Sequence, residues 1–179
     1  MLRRNGEVME VSSTGEFGPN LTGFSLIRPP RSLDDLRDIG LGKELLVKVN
    51  PKLIIDVEAT TGGVRSTGAP RFGRVRVTAG GCHLSDVVEV SDLLSQAGGV
   101  TVEGPISLGR SRLKVESGSL TLILKPGSSV TVHADAKFGH IRWPEDNGGA
   151  DEVVFGNGSA RCDLTVTMGL ATVKSEVPA

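Results

Sequence analysis

The chain is poor in aromatic residues, with no tyrosine, one tryptophan and five phenylalanines among 179 residues. Proteins bind unpaired bases by stacking them on aromatic rings, and sugar-binding surfaces commonly use the same contact. The charges are balanced, with 20 basic and 21 acidic residues, so no overall field would hold a nucleic acid or an anionic membrane. The composition therefore argues against a nucleic-acid partner and weakens a sugar-binding role.

Long apolar runs are absent and cysteine is rare. No run of about 18 apolar residues occurs, so the sequence predicts no insertion into a bilayer. The start, MLRRNGEVME, has two arginines but no apolar run after them, unlike a secretory signal. A cytoplasmic location is the default expectation, and an excised domain of a membrane-associated protein is the alternative. Cys82 and Cys162 form no CxxC pair, which favours two reduced, buried thiols over a disulfide.

Glycine, by contrast, is abundant, with 24 residues. That share is well above the typical ~7% and follows no collagen period, which indicates many positions of positive φ or close backbone approach. From Leu45 onward, aliphatic residues alternate with polar ones in short runs such as KLIIDVEA, SLTLILK and SVTVHADA. Each run ends near Gly, Pro, Ser or Asn, as strands do, so the sequence predicts an all-β domain.

The N-terminal part has a different chemistry. We predict an irregular arm over residues 1–40 that ends in a short helix, RSLDDLRDIG, with Ser32 as its N-cap and Gly40 as its terminator. This helix would cap the N-terminal end of a β domain over residues 41–179. SDLLSQAGG, which begins at Ser91, is predicted as a second short helix.

Several glycines interrupt an alternating apolar pattern. In VTVHADAKFGHIRW the alternation of Val130 to Ala136 stops at Gly139 and resumes at Ile141. The same interruption occurs in VESGSLTL and VTMGLATV. A glycine corner between short strands accounts for it, because the backbone there adopts a conformation that side chains resist. Corners of this kind favour a β-solenoid, in which like residues stack from turn to turn, and a β-sandwich is the alternative fold.

Two segments of the chain are similar to each other. LIIDVEATTGGVRS (53–66) aligns with VTVHADAKFGHIRW (130–143) at a constant spacing of 77 residues, which sets Gly62 on Gly139. Farther on, CHL (82–84) aligns with CDL (162–164) at a spacing of 80 residues. The alignment predicts two similar halves, at about 45–90 and 122–176.

Parts of the second half resemble a known family. LILKPGSSVTVHADAKFGHIRW and VVFGNGSARCDLTVTMGLATVKSE are similar to the C-terminal domain of bacterial LiaF-type cell-envelope-stress regulators and to bacterial adhesin-like β-strand-repeat domains. The Pro126-Gly127 turn, the Phe138-Gly139 corner and the strand from Val166 to Val173 carry the resemblance, which covers about residues 45–176. It implies a single-stranded, right-handed β-helix and no catalytic residues. LiaF-type regulators have membrane helices before this domain, whereas this sequence has no apolar run long enough for one. We therefore expect no direct membrane-sensing role.

No motif indicates catalysis or metal binding. GxSxG is missing, and His83, His133 and His140 do not have zinc-site spacing relative to the two cysteines. EDNGGADE (145–152) fits no calcium loop and is better explained as a solvated turn. We therefore expect no enzyme, metal, cofactor or small-molecule substrate.

The leading functional hypothesis is a non-enzymatic structural or protein-interaction scaffold of bacterial type that self-assembles or binds a protein partner through the solenoid ends. The tail KSEVPA would block its end only weakly, so we expect the contact there. The alternative is a regulatory or accessory domain of the envelope-stress response that binds a protein through a lateral sheet face. Outward-facing basic residues, with one aromatic, are the candidate contacts for such a face: Arg65, Arg74, Arg76, Arg142 and Trp143.

Overall fold

The computed structural model describes residues 2–5, 8–11, 47–145 and 150–176, and the chain divides into two compact units, Met1–Lys48 and Val49–Ala179. In the first unit, β1 (Leu2–Asn5) pairs antiparallel with β2 (Val8–Val11), two strands that the sequence did not predict. The helix predicted within residues 32–40 lies outside the described residues.

The second unit is all-β, as predicted, and its described residues contain no helix. One mixed sheet runs in the order β3-β5-β7-β8-β11-β9-β10, with β4 and β6 pairing beside β7. Its strands are β3 (Ile55–Thr61), β4 (Val64–Ser66), β5 (Arg71–Ala79), β6 (Cys82–Leu84), β7 (Glu89–Gly104), β8 (Arg110–Leu124), β9 (Val130–Arg142), β10 (Glu152–Phe155) and β11 (Ala160–Ser175).

The predicted helix SDLLSQAGG is wrong, because these residues form part of β7. Leu93 and Ser95 are buried at strand spacing, and parallel neighbours lie on both sides, β5 on one and β8 on the other. The serine at the start of the segment and the glycines at its end are weak local signals. Pairing of the whole segment with two strands overrides such local propensity.

The long strands bend at glycines. Val115 and Leu120 of β8 are both buried in one core, although they are five residues apart. In a straight strand, residues an odd number apart point to opposite faces. β8 therefore bends between them, where Gly118 has a φ of 137°. The same five-residue step separates buried Ser95 and Val100 in β7 and buried Val166 and Ala171 in β11. It also separates Val77 of β5 from Cys82 of β6.

The glycines at these bends lie on one another and form what we call the glycine column. In register, Gly98 pairs with Gly118, Gly118 with Gly169, and Gly169 with Gly139. A Cβ built on any of these four glycines, or on Gly80, would overlap the carbonyl oxygen of the neighbouring glycine. Only glycine fits such a close approach of two backbones. The members in spatial order are Gly62, Gly80, Gly98, Gly118, Gly169 and Gly139.

The column divides each bent strand into a first arm before the glycine and a second arm after it. At Gly62 and Gly80 the arms are separate strands, with β3 and β5 as first arms and β4 and β6 as second arms. Inward residues of the first arms stack in register, for example Val75 on Leu93, Leu93 on Leu113 and Leu113 on Leu164. Register also connects Val57 of β3 stepwise to Ala134 of β9, which have the 77-residue spacing found in the sequence.

The alignment of CHL with CDL is wrong. Cys82 lies in a second arm, between Val64 and Val100. Cys162 lies in a first arm, between Ser111 and Val132. The two cysteines therefore occupy different positions around the bend. The short motif matched because buried aliphatic and thiol positions alternate with polar ones in both arms.

The last strand of the chain does not lie at the end of the sheet. β11 pairs in parallel with β8 on one side and with β9 on the other. The expectation that the C-terminal part of the chain forms a weakly blocked end is therefore wrong for β11, because pairing order departs from chain order here. One end of the parallel strands is formed by β9, and β10 lies antiparallel along part of β9. The other end is formed by β3.

Candidate functional site

The outer edge of β9 is covered only along its first five residues, Val130–Ala134. β10 pairs with Val130–His133, and the backbone N–H of Ala134 donates to the carbonyl of Asp151 at 2.9 Å. Beyond Ala134, no strand of the described chain pairs with this edge. We call residues 136–142 the open half-edge. A strand edge of this kind presents backbone donors and acceptors that another extended chain can bind.

Two large apolar side chains are exposed beside the open half-edge. Phe138 is 74% exposed and Met168 is 58% exposed, and the two residues are neighbours in register on β9 and β11. Burial of apolar side chains is the main source of contact energy in most protein associations. We call Phe138 and Met168 the corner patch, because they lie at the bend next to the glycine column.

The open half-edge is basic. Lys137, His140 and Arg142 are exposed, and residues 136–142 include no aspartate or glutamate. Lysine on an edge strand discourages pairing with arbitrary chains. Trp143, the next residue, is half-buried and packs against the core, so it closes the core at the end of the strand.

The predicted contact residues lie in separate places. Arg74 and Arg76 belong to the first arm of β5, whereas Arg65 and Arg142 belong to second arms. The guanidinium of Arg76 donates to the side chain of Asp92, with which it forms an ion pair. Its charge is thus partly compensated within the sheet.

Arg65 and Arg142 share one outward register position but lie at opposite ends of the sheet. The residues between them in register are His83, Thr101, Thr121 and Thr172. Five strand spacings separate the two arginines, which corresponds to about 24 Å. The structure therefore does not join the five predicted residues into one surface, and only Arg142 and Trp143 lie near the open half-edge.

A shallow groove of about 410 Å³ lies on the lateral face near the other end of the sheet. Its floor is formed by Gly63, Gly81 and Gly99, and Arg65 and His83 line it. Sequence reasoning missed the groove, although the three glycines recur every 18 residues and so gave a usable signal.

The imidazole of His83 lies between two polar groups beside the groove. Its Nε2 is 3.0 Å from the hydroxyl oxygen of Ser85 and 3.7 Å from Oε1 of Glu103. The Ser85 hydroxyl holds the pKa of the Glu103 carboxyl below its usual value, and the positive charge of Lys125 acts in the same direction. Of these groups, only His83 lines the groove, and the Glu103 carboxylate lies beside its imidazole.

The thiols are poorly suited to nucleophilic chemistry. Cys82 and Cys162 are free and buried, as the sequence predicted. Burial disfavours the thiolate and raises the pKa of Cys82 to about 11 and that of Cys162 to about 12. Among the described residues, no three His, Cys, Asp or Glu side chains are placed to hold a metal ion. Residues 146–149 of the EDNGGADE turn lie outside the described ranges.

In the ranges that the structure describes, no helix has the length and apolar character needed to cross a bilayer. A scan against models of known protein families, a search of curated proteins and a search of solved structures each find no match to this chain, so none of them links it to LiaF-type or adhesin-like domains.

Proposed function

We propose that this protein is a non-enzymatic protein-interaction scaffold, built as a β-solenoid, that binds a partner chain through the open half-edge of β9. Parallel pairing of β3, β5, β7, β8, β11 and β9 with matched bends supports the solenoid. In a β-sandwich, β3 and β9 would face each other from two layers. Here they belong to one sheet and point the same way.

The observation that carries the proposed contact is the incomplete cover of β9. β10 pairs only with Val130–His133, so residues 136–142, with which no described strand pairs on this side, combine edge positions with exposed Phe138 and three exposed basic or imidazole side chains. An extended segment that pairs with residues 136–142 would gain main-chain hydrogen bonds there and side-chain contacts at the corner patch. The interior strands β5, β7, β8 and β11 offer no such edge.

Self-assembly by end-to-end stacking is the other form of this hypothesis. If a second copy continued the sheet in register, its residues 53–57 would occupy the place of β10, because they match residues 130–134 at the 77-residue spacing. β10 therefore blocks this way of stacking. Pairing two copies of the open half-edge would bring Lys137 and Arg142 of both copies close together. We therefore expect a constant, monomeric mass in sedimentation velocity runs over a wide range of protein concentration.

The contact is tested by comparing two surface variants with the wild type. Proteins captured from an extract of the source cells are identified, purified and titrated against each form by calorimetry. We expect the double variant Lys137→Glu/Arg142→Glu to bind the partner at least about tenfold more weakly, since two charges are reversed. Arg65→Glu, which changes the same register position at the far end, is expected to bind like the wild type. Equal binding by all three forms would show that the contact lies elsewhere.

A second candidate function is suggested by the lateral groove. A regulatory or accessory domain that binds a protein through its lateral face would use the floor formed by Gly63, Gly81 and Gly99 and the guanidinium of Arg65. In this case Arg65→Glu weakens binding and the Lys137→Glu/Arg142→Glu variant does not. The pair of variants thus separates the two candidates in one titration series. The cytoplasmic location and the bacterial envelope-stress role stay predictions.

A further inference from the structure

We infer that Asn157 is a modification site, at which the folded chain converts its own side-chain amide into aspartate or isoaspartate. Asn157 is exposed in the turn between β10 and β11, and Gly158 follows it directly. Glycine has no side chain that would hinder approach to its backbone nitrogen. Within the described ranges, the N–H of Gly158 donates to no acceptor, so this nitrogen is free to react with the neighbouring side chain.

The carbonyl oxygen of the Asn157 side chain accepts hydrogen bonds from two donors. The backbone N–H of Ser159 donates to Oδ1 at 3.0 Å, and the hydroxyl of Ser129 donates to the same atom. The Ser129 hydroxyl oxygen in turn accepts from the hydroxyl of Ser159 at 3.0 Å. Hydrogen bonds in such a chain polarise one another, which strengthens the donation to Oδ1. The two donors therefore resemble an oxyanion hole, because they stabilise negative charge on this oxygen.

The reaction is a ring closure within the turn. The Gly158 nitrogen loses its proton to hydroxide and bonds to Cγ of Asn157, which places negative charge on Oδ1 beside its two donors. The bond from Cγ to Nδ2 then breaks, and the amide nitrogen takes a proton from water and leaves as ammonia. Water opens the resulting succinimide at Cγ to give aspartate, or at the backbone carbonyl to give isoaspartate. Only water is consumed and only ammonia is released.

The product alters the turn that holds β10. β10 and β11 lie on opposite sides of β9, and the turn joins them beside Ser129, the residue before β9. The carbonyl of Ser129 also accepts the backbone N–H of Ala160 at 2.9 Å, at the start of β11. Isoaspartate lengthens the main chain by a methylene group and removes the carbonyl that both donors bind. We therefore expect β10 to pair less firmly with Val130–His133 in the isoaspartate form.

The chain contains an internal reference for the test, because Asn5-Gly6 is also an asparagine–glycine pair. The full-length protein is kept in mildly alkaline buffer, with and without urea, and conversion at each pair is followed by peptide mass spectrometry. We expect Asn157 to convert in the folded wild type. In Ser129→Ala, which lacks one donor, conversion of Asn157 is expected to be at least about threefold slower, whereas Asn5 keeps its rate.

Further variants separate the chemistry of the donors from an effect on folding. Ser129→Thr keeps the hydroxyl and is expected to convert Asn157 at the wild-type rate. Ser159→Ala removes only the hydroxyl that donates to Ser129, and we expect slower conversion here too. In urea, the wild type and all variants should convert Asn157 equally. An unconverted Asn157 in the folded wild type, or native conversion in Ser129→Ala and Ser159→Ala as fast as in the wild type, would overturn the assignment.

The effect on β10 is measured on the separated products. Each acidic product carries an additional negative charge, so anion exchange separates it from the unconverted protein. We expect the backbone amides of β10 to exchange hydrogen faster in the isoaspartate fraction than in the unconverted protein, because the turn no longer fixes the strand. Equal exchange in the two fractions would show that the turn does not hold β10 and would overturn this effect.

Discussion

Gly169 lies directly on Gly118, although 51 positions separate them in the chain, and both have a left-handed φ, 140° and 137° respectively. The pairing sets the last strand between two strands that precede it in the sequence. Any side chain on Gly169 would run into the Gly118 carbonyl. The bend of the whole sheet thus depends on contacts between backbones, where even a methyl group has no room.

Replacement of Gly118 by alanine is expected to destabilise the protein by about 3 kcal/mol or more, because strain at positive φ adds to overlap with the Gly98 carbonyl. Gly81→Ala is the matched control. Its Cβ would meet nothing within 4 Å, so we expect a change of at most ~0.5 kcal/mol. Urea unfolding followed by circular dichroism measures both. Similar losses in the two variants would contradict the role of the glycine column.

Much of this bend could be predicted from the sequence, since the alternation of Val130 to Ala136 and its restart at Ile141 already mark a corner at Gly139. The position of β9 at one end of the parallel strands could not be predicted from the sequence. The order β8-β11-β9 follows from pairing between residues far apart in the chain, which local periodicity does not encode. The SDLLSQAGG segment was wrongly predicted as a helix for the same reason, because its two partner strands decide its conformation.

The candidate site was predictable only in part. Arg142 was identified as an outward residue from the alternation. Lys137 and Phe138 could not be identified as contact candidates, because that depends on where the pairing of β10 with β9 ends. The five predicted residues were grouped by charge and outward direction alone. The register then separated them, because second-arm positions such as Arg65 and Arg142 can be outward and yet belong to opposite ends of one sheet.

Ser95 carries a buried hydroxyl without a hydrogen-bond partner among the described residues. Ser95→Ala removes this unsatisfied group, and we expect a gain of about 1 kcal/mol in the free energy of unfolding. Ser111 is the matched control, since its buried hydroxyl oxygen accepts the backbone N–H of Val90 at 3.0 Å. Ser111→Ala is expected to cost about 1–2 kcal/mol by leaving that N–H unpaired. Urea unfolding of both variants checks the opposite signs, and a loss in Ser95→Ala would contradict this account.

Asp163 is expected to make stability depend on pH in the acid range. Burial alone would raise the pKa of its carboxyl, but hydrogen bonds from Arg110 at 2.8 Å and Arg161 at 3.0 Å outweigh that effect and lower it. A pKa that is lower in the folded state stabilises the protein above the unfolded value of about 3.9, and this contribution is lost as the pH falls through the folded pKa.

The measurement is the free energy of unfolding in urea from neutral pH to about pH 2, for the wild type and Asp163→Asn. We expect the wild type to be the more stable at neutral pH and the difference to shrink below about pH 4, as the carboxylate becomes protonated. Asp135→Asn, a change at an exposed position of β9, serves as the control. A difference between the wild type and Asp163→Asn that stays constant with pH would rule out the carboxylate as its source.

The thiols provide a test of the core itself. Because burial raises the pKa of Cys82 to about 11 and that of Cys162 to about 12, neither thiol should form an appreciable thiolate at pH 8 in the folded protein. We expect no rapid reaction with the disulfide reagent DTNB under native conditions. In denaturant without reductant, both thiols should react, since the two cysteines are free. Rapid native labelling would show that the core opens, and no labelling in denaturant would reveal a disulfide.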